Sequence, residues 1–523
     1  MRAMLLALAF VSLAFLAALH GSALAEAPKK IPIVYSTDLF HPHADPDDHY
    51  DLACLFAIAE FDIRGVVLDL GQTQAERCGR PAVEQMMHLT GRRVPWAIGL
   101  SRPLRKPSDT GLEEPDAFQG GVNLILSALR GSPEKVVLFS TGSCRDLAAA
   151  FNRQPDLMKA KVAAVYFNIG RGPKEQQEEC NVGYDPAAYL RLFESGLPLY
   201  WCPCFGKDGY ETLYVADQTQ VVEACAAQVQ NFFVYCLTRS TADPISFLST
   251  GPHLLPAGPR NMWCTAPMLH AAGRKVYQRG PDDFVALGAE EAERLGLGAR
   301  EVAVYQFVPM RATARPGEPQ PETALAETPP GQLAAAYAGR LEDRVGTAQL
   351  EPDGRPDCRV RVSGLKSDAP VKNIVLTGPK QGRWEYVATG RWWRVAQQRT
   401  GQRLDGYFQF WAPGEHQIEI VYEDGSSQTA RFHVPRADPA ALDVQLNPPE
   451  PNGFVFRHTD PRYRQIMASC LKNLLAGLGR STRGVTVHGD CPLGREGDRH
   501  IFQPETARKM SQSPARERLH EFQ

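Results

Sequence analysis

The sequence predicts an α/β protein with a doubly wound, mainly parallel sheet over residues 26–312, followed by an all-β module. Short runs rich in β-branched residues alternate with stretches of helical period from Lys30 to about Met310, a pattern typical of βαβ units. The buried strands are expected at Ile31–Tyr35, Ile63–Leu68, Val94–Ile98, Lys135–Phe139, Val162–Phe167 and Leu197–Trp201. The helices between them are expected at His49–Glu60, Arg80–Leu89, Gly121–Leu129 and Asp185–Leu192.

The all-β module lies beyond a proline-rich linker. Five prolines fall between Arg315 and Pro330, and residues 313–344 are assigned to the linker. The segments that follow resemble strands, and Glu423-Asp-Gly425 is a hairpin-turn signal. We expect a β-sandwich with immunoglobulin-like character over residues 345–440. Its strands are expected at Cys358–Val362, Val371–Thr377, Arg383–Val387, Tyr407–Trp411, His416–Tyr422 and Gln428–Val434.

Four of the seven tryptophans fall in this module, namely Trp384, Trp392, Trp393 and Trp411. A small β-sandwich commonly buries a tryptophan, so core packing accounts for some of them. The alternative is an exposed aromatic patch that binds carbohydrate, with a cell-surface polysaccharide as the partner.

An amphipathic helix is predicted within residues 441–480. Asp460 and Pro461 start it as N-cap and first-turn proline, and Gly477 and Gly479 end it. Its apolar stripe must be buried, and we expect it to dock on the first domain. The polar, aperiodic residues 481–523 are expected to be disordered.

The composition and the amino terminus limit the partners. A net charge of −2 over 523 residues gives no electrostatic reason to expect nucleic acid as a partner. Residues 1–25 combine Arg2, an apolar run and the small-residue site Ala23-Leu-Ala25, which predicts a secretory signal peptide and a secreted or periplasmic protein. An uncleaved membrane anchor is the alternative, but no other segment approaches ~20 apolar residues, so no membrane span is expected after cleavage.

A cluster of carboxylates follows the first predicted strand. Asp38 comes at the end of that strand, and Asp45, Asp47 and Asp48 come at the start of the next helix. Helix capping and the helix dipole account for about two of these acids, but not for Asp38. Carboxylates this close repel one another unless a cation holds them. The pattern therefore indicates a hard cation, Ca²⁺ or alternatively Mg²⁺.

Several blocks resemble the inosine-uridine-preferring nucleoside hydrolase family, in the family's order. The strand-end Ser36-Thr-Asp38 and the helix opening Asp47-Asp48-His-Tyr-Asp-Leu-Ala match its acidic signature. Further blocks resemble its second and third strands, its Gly-Pro-Leu-Thr-Asn-Leu-Ala segment, its substrate-contacting Glu-x-Asn and the Asp-Pro that opens the next helix. These blocks are Gly65–Gln72, Val94–Leu104, Ser140–Ala148, Glu179–Asn181 and Asp185–Ala188.

The resemblance implies Ca²⁺-dependent hydrolysis of an N-glycosidic bond in a small nucleoside or related ribosyl substrate. It implies metal ligands at Asp38, Asp48 and Asp47, with Asp47 also acting as general base while the bond breaks through an oxocarbenium-like state. It assigns Glu179 and Asn181 to the sugar hydroxyls, and Asn168, at a strand end, is a further candidate. An ordinary polar loop before a helix is the alternative for Glu179 and Asn181.

The sequence departs from the family pattern at four places. Ser36 stands at the first signature aspartate, and Gln72 stands at the turn asparagine. The segment between Asp38 and Asp47 is five residues longer than in the family, and it includes His41 and His43. The fourth departure lies late in the domain.

Trp263-Cys264 stands where the family has a late His-Asp pair. Loss of that aspartate removes a carboxylate ligand, and loss of the histidine removes an acid for the departing base. Trp263 is expected either to be buried or to stack on the planar leaving group or the sugar.

Two rival functions remain. His41-Pro-His43 is similar to the His-x-His of zinc amidohydrolases, although no histidine falls between His88 and His253 to complete such a site. The other rival is a catalytically inactive binding or adhesion protein that works through its β-module.

Overall fold

The computed structural model describes residues 30–43, 45–173, 179–251, 253–315, 325, 332–340, 357–378, 382–387, 393–398, 401–409, 414–434 and 441–478. The predicted signal peptide at 1–25 and the predicted tail at 481–523 lie outside these residues, as do Trp392 and Trp411. Trp384 and Trp393 lie in strands whose side chains are not described, so neither interpretation of the tryptophans is tested. No helix within the described residues has the length and apolar content needed to cross a membrane.

A nine-stranded sheet forms the centre of the molecule, in the order β20-β11-β21-β6-β5-β4-β1-β2-β3. Strands β1 to β6 are parallel to their neighbours. The predicted doubly wound α/β class is confirmed. The strands of this sheet are β1 Ile31–Thr37, β2 Phe61–Leu68, β3 Trp96–Ile98, β4 Val136–Ser140, β5 Val162–Asn168, β6 Leu199–Cys202, β11 Tyr305–Arg315, β20 Ala441–Leu446 and β21 Gly453–His458.

Helices cover both faces of this sheet, and two apolar cores lie beneath them. One core includes Ile33 and Tyr35 from β1, and the other includes Val34, because successive residues of a strand face opposite sides. The helices are α1 Asp47–Ala57, α2 Gly71–Glu76, α3 Arg80–Thr90, α4 Gly120–Gly131, α5 Arg145–Arg153, α6 Pro155–Lys161, α7 Cys180–Tyr184, α8 Pro186–Glu194, α9 Gln218–Val222, α10 Ala227–Leu237, α11 Pro244–Leu248, α12 Thr265–Ala271, α13 Ala289–Arg294 and α14 Tyr463–Ala476. Short 3₁₀ turns lie at Asp116–Phe118 and Gly298–Arg300.

The strand order reverses between β1 and β4. The chain builds β1, β2 and β3 towards one edge, and then returns to place β4, β5 and β6 on the other side of β1. In open α/β sheets, the crevice outside the carboxyl ends of the strands at such a switch point is where ligands bind. The residues just after β1 and β4, Asp38 and Thr141, therefore occupy the expected ligand crevice.

The all-β part consists of two four-stranded antiparallel sheets, ordered β12-β13-β17-β16 and β15-β14-β18-β19. Both contribute to one apolar core, which contains Tyr337, Val360, Ile374, Leu404 and Ile418. The strands are β12 Ala334–Arg340, β13 Asp357–Leu365, β14 Val371–Gly378, β15 Gly382–Val387, β16 Trp393–Gln398, β17 Gly401–Gln409, β18 Gly414–Tyr422 and β19 Ser427–Val434. Two further hairpin-like sheets pair β7 Tyr214–Asp217 with β8 Pro259–Met262 and β9 Lys275–Gly280 with β10 Asp283–Leu287.

The chain returns to the first sheet after the all-β part. Strand β21 pairs in parallel with β6, and β11 lies antiparallel between β20 and β21. Helix α14 packs on the same unit, and the Tyr463 hydroxyl donates to the carbonyl of Thr212 at 2.7 Å. Two predicted boundaries differ from this arrangement: residues 334–340 of the predicted linker form β12, and residues 441–458 form two strands of the main sheet before the helix begins.

Candidate functional site

Four polar residues follow the carboxyl ends of neighbouring strands at the switch point. Asp38 follows β1, Asp69 follows β2, Thr141 follows β4, and Asn168 ends β5. Backbone bonds hold the ends together, since the Thr141 N–H donates to the Ser36 carbonyl at 2.9 Å and the Asp69 N–H to the Thr37 carbonyl at 2.8 Å. The parallel register thus gathers side chains that are up to 130 residues apart in the sequence.

Asp69 fixes the loop after β4 from beneath. Its carboxylate is fully buried and accepts the N–H of Ser143 at 2.6 Å and the Ser143 hydroxyl at 3.0 Å. A Cβ on Gly142 would lie 2.5 Å from Asp69 Oδ2 and 3.3 Å from the Asp38 nitrogen. Only glycine permits so close an approach of this loop to the Asp69 carboxylate and the Asp38 backbone.

The first turn of α1 brings Asp47 and Asp48 to the crevice at the switch point, near Asp38. Asp48 is buried, and its Oδ1 accepts the Thr37 hydroxyl at 2.7 Å and the Thr141 hydroxyl at 3.3 Å. The N-cap of this helix is Pro46, and no side chain caps it. A capping role therefore does not explain the acids, although both gain from the helix dipole.

Burial raises the pKa of each of these carboxyl groups. The pKa values of Asp38, Asp47 and Asp48 lie well above the ordinary aspartate value, first because of desolvation and then because of one another's charge and that of neighbouring acids. Within the described ranges no lysine or arginine pairs with these three groups; Arg260 pairs with the exposed Asp45, Nη1 to Oδ1 at 3.5 Å. The cluster thus combines one buried and two half-buried carboxylates, and no side chain among the described residues acts as their counterion.

Glu179 and Asn181 lie beside the cluster, but much of their bonding capacity is used within the protein. Glu179 caps α7, and its carboxylate accepts the N–H groups of Gly170 at 2.7 Å and Asn181 at 3.0 Å. The Asn181 amide donates to the carbonyls of Thr141 and Asn168, each at 3.1 Å. Glu179 also raises the pKa of Asp38 through its charge. Both residues therefore hold the rim of the crevice together, and their assignment to the sugar remains a prediction.

Asn168 is different, because one of its side-chain atoms is unused. Its Nδ2 donates to the Cys202 carbonyl at 3.0 Å and the Thr212 hydroxyl at 2.9 Å. Its Oδ1 is buried and accepts no hydrogen bond from the described part of the chain. An orphaned buried acceptor costs stability, so this oxygen is available to a hydroxyl of a ligand.

Trp263 lies next to this group and is partly exposed. Its Nε1 donates to the Cys204 carbonyl at 3.0 Å, and its ring meets the edge of Phe205 at a centroid distance of 5.9 Å. Cys204 also contacts Asn168, Nδ2 to Sγ at 3.5 Å. The indole is thus fixed near the crevice with part of its surface open, and neither burial nor stacking is tested as its role.

The two histidines of the insertion lie over α1 rather than with the carboxylates. His41 donates from Nε2 to the Ser240 carbonyl at 2.7 Å and stacks on Tyr235 with centroids 4.4 Å apart. His49 has centroids 6.4 Å from both His41 and His43 and packs on Phe232. Among the described residues no three His, Cys, Asp or Glu side chains have the geometry of a preformed metal site.

A buried ion pair supports the crevice from behind. Arg145, at the start of α5, and Asp185, the N-cap of α8, are both completely buried, with Nε 3.0 Å from Oδ2. The guanidinium also donates to the carbonyls of Leu100 and Tyr184. Asp185 in turn accepts the Ala188 N–H at 2.9 Å. These bonds tie the loops after β3 and α7 to the helix that follows β4.

Arg145→Met is expected to destabilise the protein by about 3–5 kcal/mol, because it leaves the Asp185 carboxylate buried without its partner. Urea unfolding followed by circular dichroism measures the change. Arg105→Met is the matched control, since Arg105 forms an exposed pair with Asp109 and should leave the unfolding midpoint almost unchanged. Equal decreases in the free energy of unfolding of the two variants would show that the buried pair stabilises the protein no more than the exposed pair does.

The doubly wound sheet and the acidic crevice at its switch point define an α/β protein that binds its ligand at the carboxyl ends of the strands. Residues 37–253 match the family model described as inosine-uridine preferring nucleoside hydrolase. The similarity to this family is confined to that segment of the chain.

Three similar proteins illustrate the relationship. The chain is 27% identical over 187 residues to the pyrimidine-specific ribonucleoside hydrolase RihA of Enterobacter sp., covering 32% of this chain and 58% of the relative. It is 26% identical over 195 residues to the non-specific ribonucleoside hydrolase RihC of Klebsiella pneumoniae, covering 33% and 61%. The solved purine-preferring ribonucleoside hydrolase from Gardnerella vaginalis aligns at 17% identity and TM-score 0.32, covering 54% and 84%. The chain thus spans about three fifths of the length of these two curated relatives.

Sequence reasoning found Asp38, Asp47 and Asp48 but missed two further acids of the cluster, Asp51 and Asp69. A signal existed for each. Asp69 directly follows a predicted parallel strand, in the position that Asp38 has after β1. Asp51 is an acid inside an otherwise apolar helix, one turn after Asp47 and Asp48.

Proposed function

We propose that this protein hydrolyses the N-glycosidic bond of a nucleoside or related ribosyl compound, with the help of a divalent cation. The observation that carries the proposal is the group of carboxylates Asp38, Asp47 and Asp48 at the β1/β4 switch point, of which Asp48 is buried and the other two are half-buried. Desolvation and mutual repulsion raise their pKa values. The match of residues 37–253 to the nucleoside hydrolase family model supports this reaction class.

The donor set fits a hard cation in chemistry. Asp38, Asp48 and Asp47 offer carboxylate oxygens, the ligands preferred by Ca²⁺ and, as the alternative, Mg²⁺. We propose these three as the groups that would hold it. When bound, the cation would offset their repulsion, orient the vicinal hydroxyls of a ribose and lower the pKa of a water molecule.

The side chains of this protein supply the remaining steps. Asp47 is only partly buried at the helix start, and its raised pKa makes it a stronger base than an ordinary carboxylate, so it accepts the proton of the attacking water. The N-glycosidic bond breaks through an oxocarbenium-like state, the water oxygen bonds to the anomeric carbon, and the departing base takes its proton from solvent. Asn168 Oδ1, with Glu179 and Asn181 at the rim, binds sugar hydroxyls. Trp263 stacks on the leaving group or the sugar.

The second candidate function is a catalytically inactive binding protein with a carbohydrate-binding β-module. The observation that favours it is Trp263-Cys264 at the positions of the family's late His-Asp pair. We keep hydrolysis as the first choice because the other carboxylates are gathered in one buried crevice.

Release of ribose or free base from a panel of purine and pyrimidine nucleosides tests the proposal. The full chain is assayed after chelation and again after Ca²⁺ or Mg²⁺ is added back. Turnover of at least one nucleoside that requires the added cation is the expected result. No turnover of any substrate, together with carbohydrate retention by the intact protein, would favour the binding function.

We propose further that the protein acts outside the cytoplasm, as a secreted or periplasmic protein. Support comes from the signal-like residues 1–25, with cleavage expected after Ala25. Amino-terminal sequencing of protein recovered from the producing cells tests this. A mature chain that begins at Glu26 supports export, and retention of Met1 in cytoplasmic protein contradicts it.

Asn168→Ala is expected to raise KM about tenfold or more, because it removes the unused acceptor that we assign to a sugar hydroxyl. Asn231→Ala is the matched control: the buried amide of Asn231 in α10 donates to the carbonyl of Leu248 at the end of α11, at 3.0 Å, and to the Thr250 carbonyl, at 2.7 Å. Both variants lose comparable hydrogen bonds, but only the first should change KM. Similar KM values in the two variants would remove Asn168 from the substrate site.

A further inference from the structure

Asp51 is an acid that neither the predicted site nor the helix requires. It lies one turn beyond Asp47 and Asp48 in α1, a spacing that places all three side chains near one another on the helix surface. Its side chain is buried at 3% exposure. No lysine or arginine forms an ion pair with it in the described ranges. A buried carboxylate without a counterion is costly, so its presence calls for a partner.

Cys264 is the group that holds Asp51. The Cys264 thiol and backbone N–H both donate hydrogen bonds to the Asp51 carboxylate. Cys264 is itself buried, at the N-cap of α12, and α12 packs against α1. The thiol is the proton donor in this contact and its pKa is raised by burial, so Cys264 brings no negative charge of its own.

Asp51 also belongs to the same electrostatic group as the proposed cation ligands. Its charge raises the pKa values of both Asp47 and Asp48. Burial raises the pKa of Tyr35, and the charges of Asp51 and Asp48 raise it further; the Tyr35 hydroxyl lies 3.1 Å from Thr141 Oγ1. Thr141 Oγ1 in turn donates to Asp48 at 3.3 Å. The charge of Asp51 therefore acts on groups at the floor of the crevice.

The resemblance described above puts Cys264 where the family has a late aspartate. A neutral thiol cannot replace that charge. The Cys264 thiol instead donates to the carboxylate of Asp51, which lies on α1, the helix that packs against α12. We propose that Asp51 supplies the negative charge that the Cys264 position lacks, as a carboxylate of the cation site, with Cys264 as its positioning residue. This inference rests on the proposed cation-dependent function.

Calcium affinity of full-length variants, measured by titration calorimetry, tests the inference. Asp51→Asn should weaken Ca²⁺ binding about tenfold or more, because it removes one charge from the site. In that background, Cys264→Asp should restore at least part of the affinity, because a carboxylate returns from the opposite side. Asp62→Asn, at an exposed Asp62–Arg64 pair on β2, is the control and should bind Ca²⁺ as the unmodified protein does.

The results separate this inference from the proposed function. Loss of binding in Asp48→Asn with full binding in Asp51→Asn would overturn the inference and leave the cation site intact. An unmodified protein that binds no Ca²⁺ would overturn both. Melting temperatures of the metal-free variants report folding, and removal of one repelling charge should raise that of Asp51→Asn.

A second pair of variants keeps the test decisive if Asp51→Asn does not fold. Cys264→Ser retains a donor to Asp51 and should keep the Ca²⁺ affinity within about threefold. Cys264→Ala removes the side-chain donor and should weaken binding by more than that. Equal affinities for Cys264→Ala and the unmodified protein would show that Cys264 does not position Asp51 for the cation.

Discussion

Asp47→Asn is expected to lower kcat for nucleoside hydrolysis by about 10²–10⁴-fold, since the amide cannot accept a proton from the attacking water. The effect on KM should be much smaller, because the sugar is held by other groups. Ribose release under saturating nucleoside and Ca²⁺ measures kcat. We expect this decrease in kcat to be a larger effect than the pH-dependent decrease in the stability of the metal-free protein.

Asp156→Asn is the matched control for this experiment. Asp156 also lies in the first turn of a helix, α6, but is exposed and far from the crevice. It should retain the kcat of the unmodified enzyme. A kcat for Asp47→Asn that stays within threefold of the unmodified value would remove Asp47 from the role of general base.

Metal-free protein is expected to lose stability as the pH rises from about 4 to 8. Asp38, Asp47 and Asp48 have pKa values well above the ordinary one, and burial raises the pKa of Asp51 to about 7. In this pH window the folded state therefore binds more protons than the unfolded state, so the free energy of unfolding falls with rising pH. The expected decrease in Tm is on the order of 5 °C or more across the window.

Bound Ca²⁺ should weaken this pH dependence of stability. A cation favours the ionised carboxylates, so their pKa values return towards or below the ordinary value and the pH dependence flattens. Scanning calorimetry at pH 5 and pH 8, with chelator or with Ca²⁺, measures the difference. A Tm with chelator that is higher at pH 8 than at pH 5 would contradict the raised pKa values.

The parallel sheet could be predicted because each of its strands can be recognised from a short stretch of neighbouring residues. Each buried strand is a short apolar run, and each ends at a turn residue or an acid, as at Asp38. Residues 441–458 show the limit of this reasoning. Strands β20 and β21 pair with β11, and the nearest paired residues, Arg315 and Ala441, are 126 positions apart, so no nearby pattern indicates that the chain returns to the first sheet. Strand β12 is similarly defined by its pairing with β13.

The candidate site was predictable where an acid ends a strand or begins a helix. Asp38, Asp47 and Asp48 were found in this way. Glu179 shows what spacing cannot reveal, because its carboxylate is shared among three backbone N–H groups and so has a structural role whatever it binds. The contact between Asp51 and Cys264 joins positions 213 residues apart, and only the packing of α12 on α1 brings them together.

Calorimetric titration of chelator-stripped protein with Ca²⁺, in buffers of different ionisation enthalpy, tests the central claim most directly. We predict one ion per chain and release of protons on binding, since carboxyl groups with raised pKa must ionise to accept the cation. The observed enthalpy should therefore depend on the buffer, and the affinity should increase from pH 6 to pH 8. Absence of binding heat in every buffer, for Ca²⁺ and Mg²⁺ alike, would contradict the cation site.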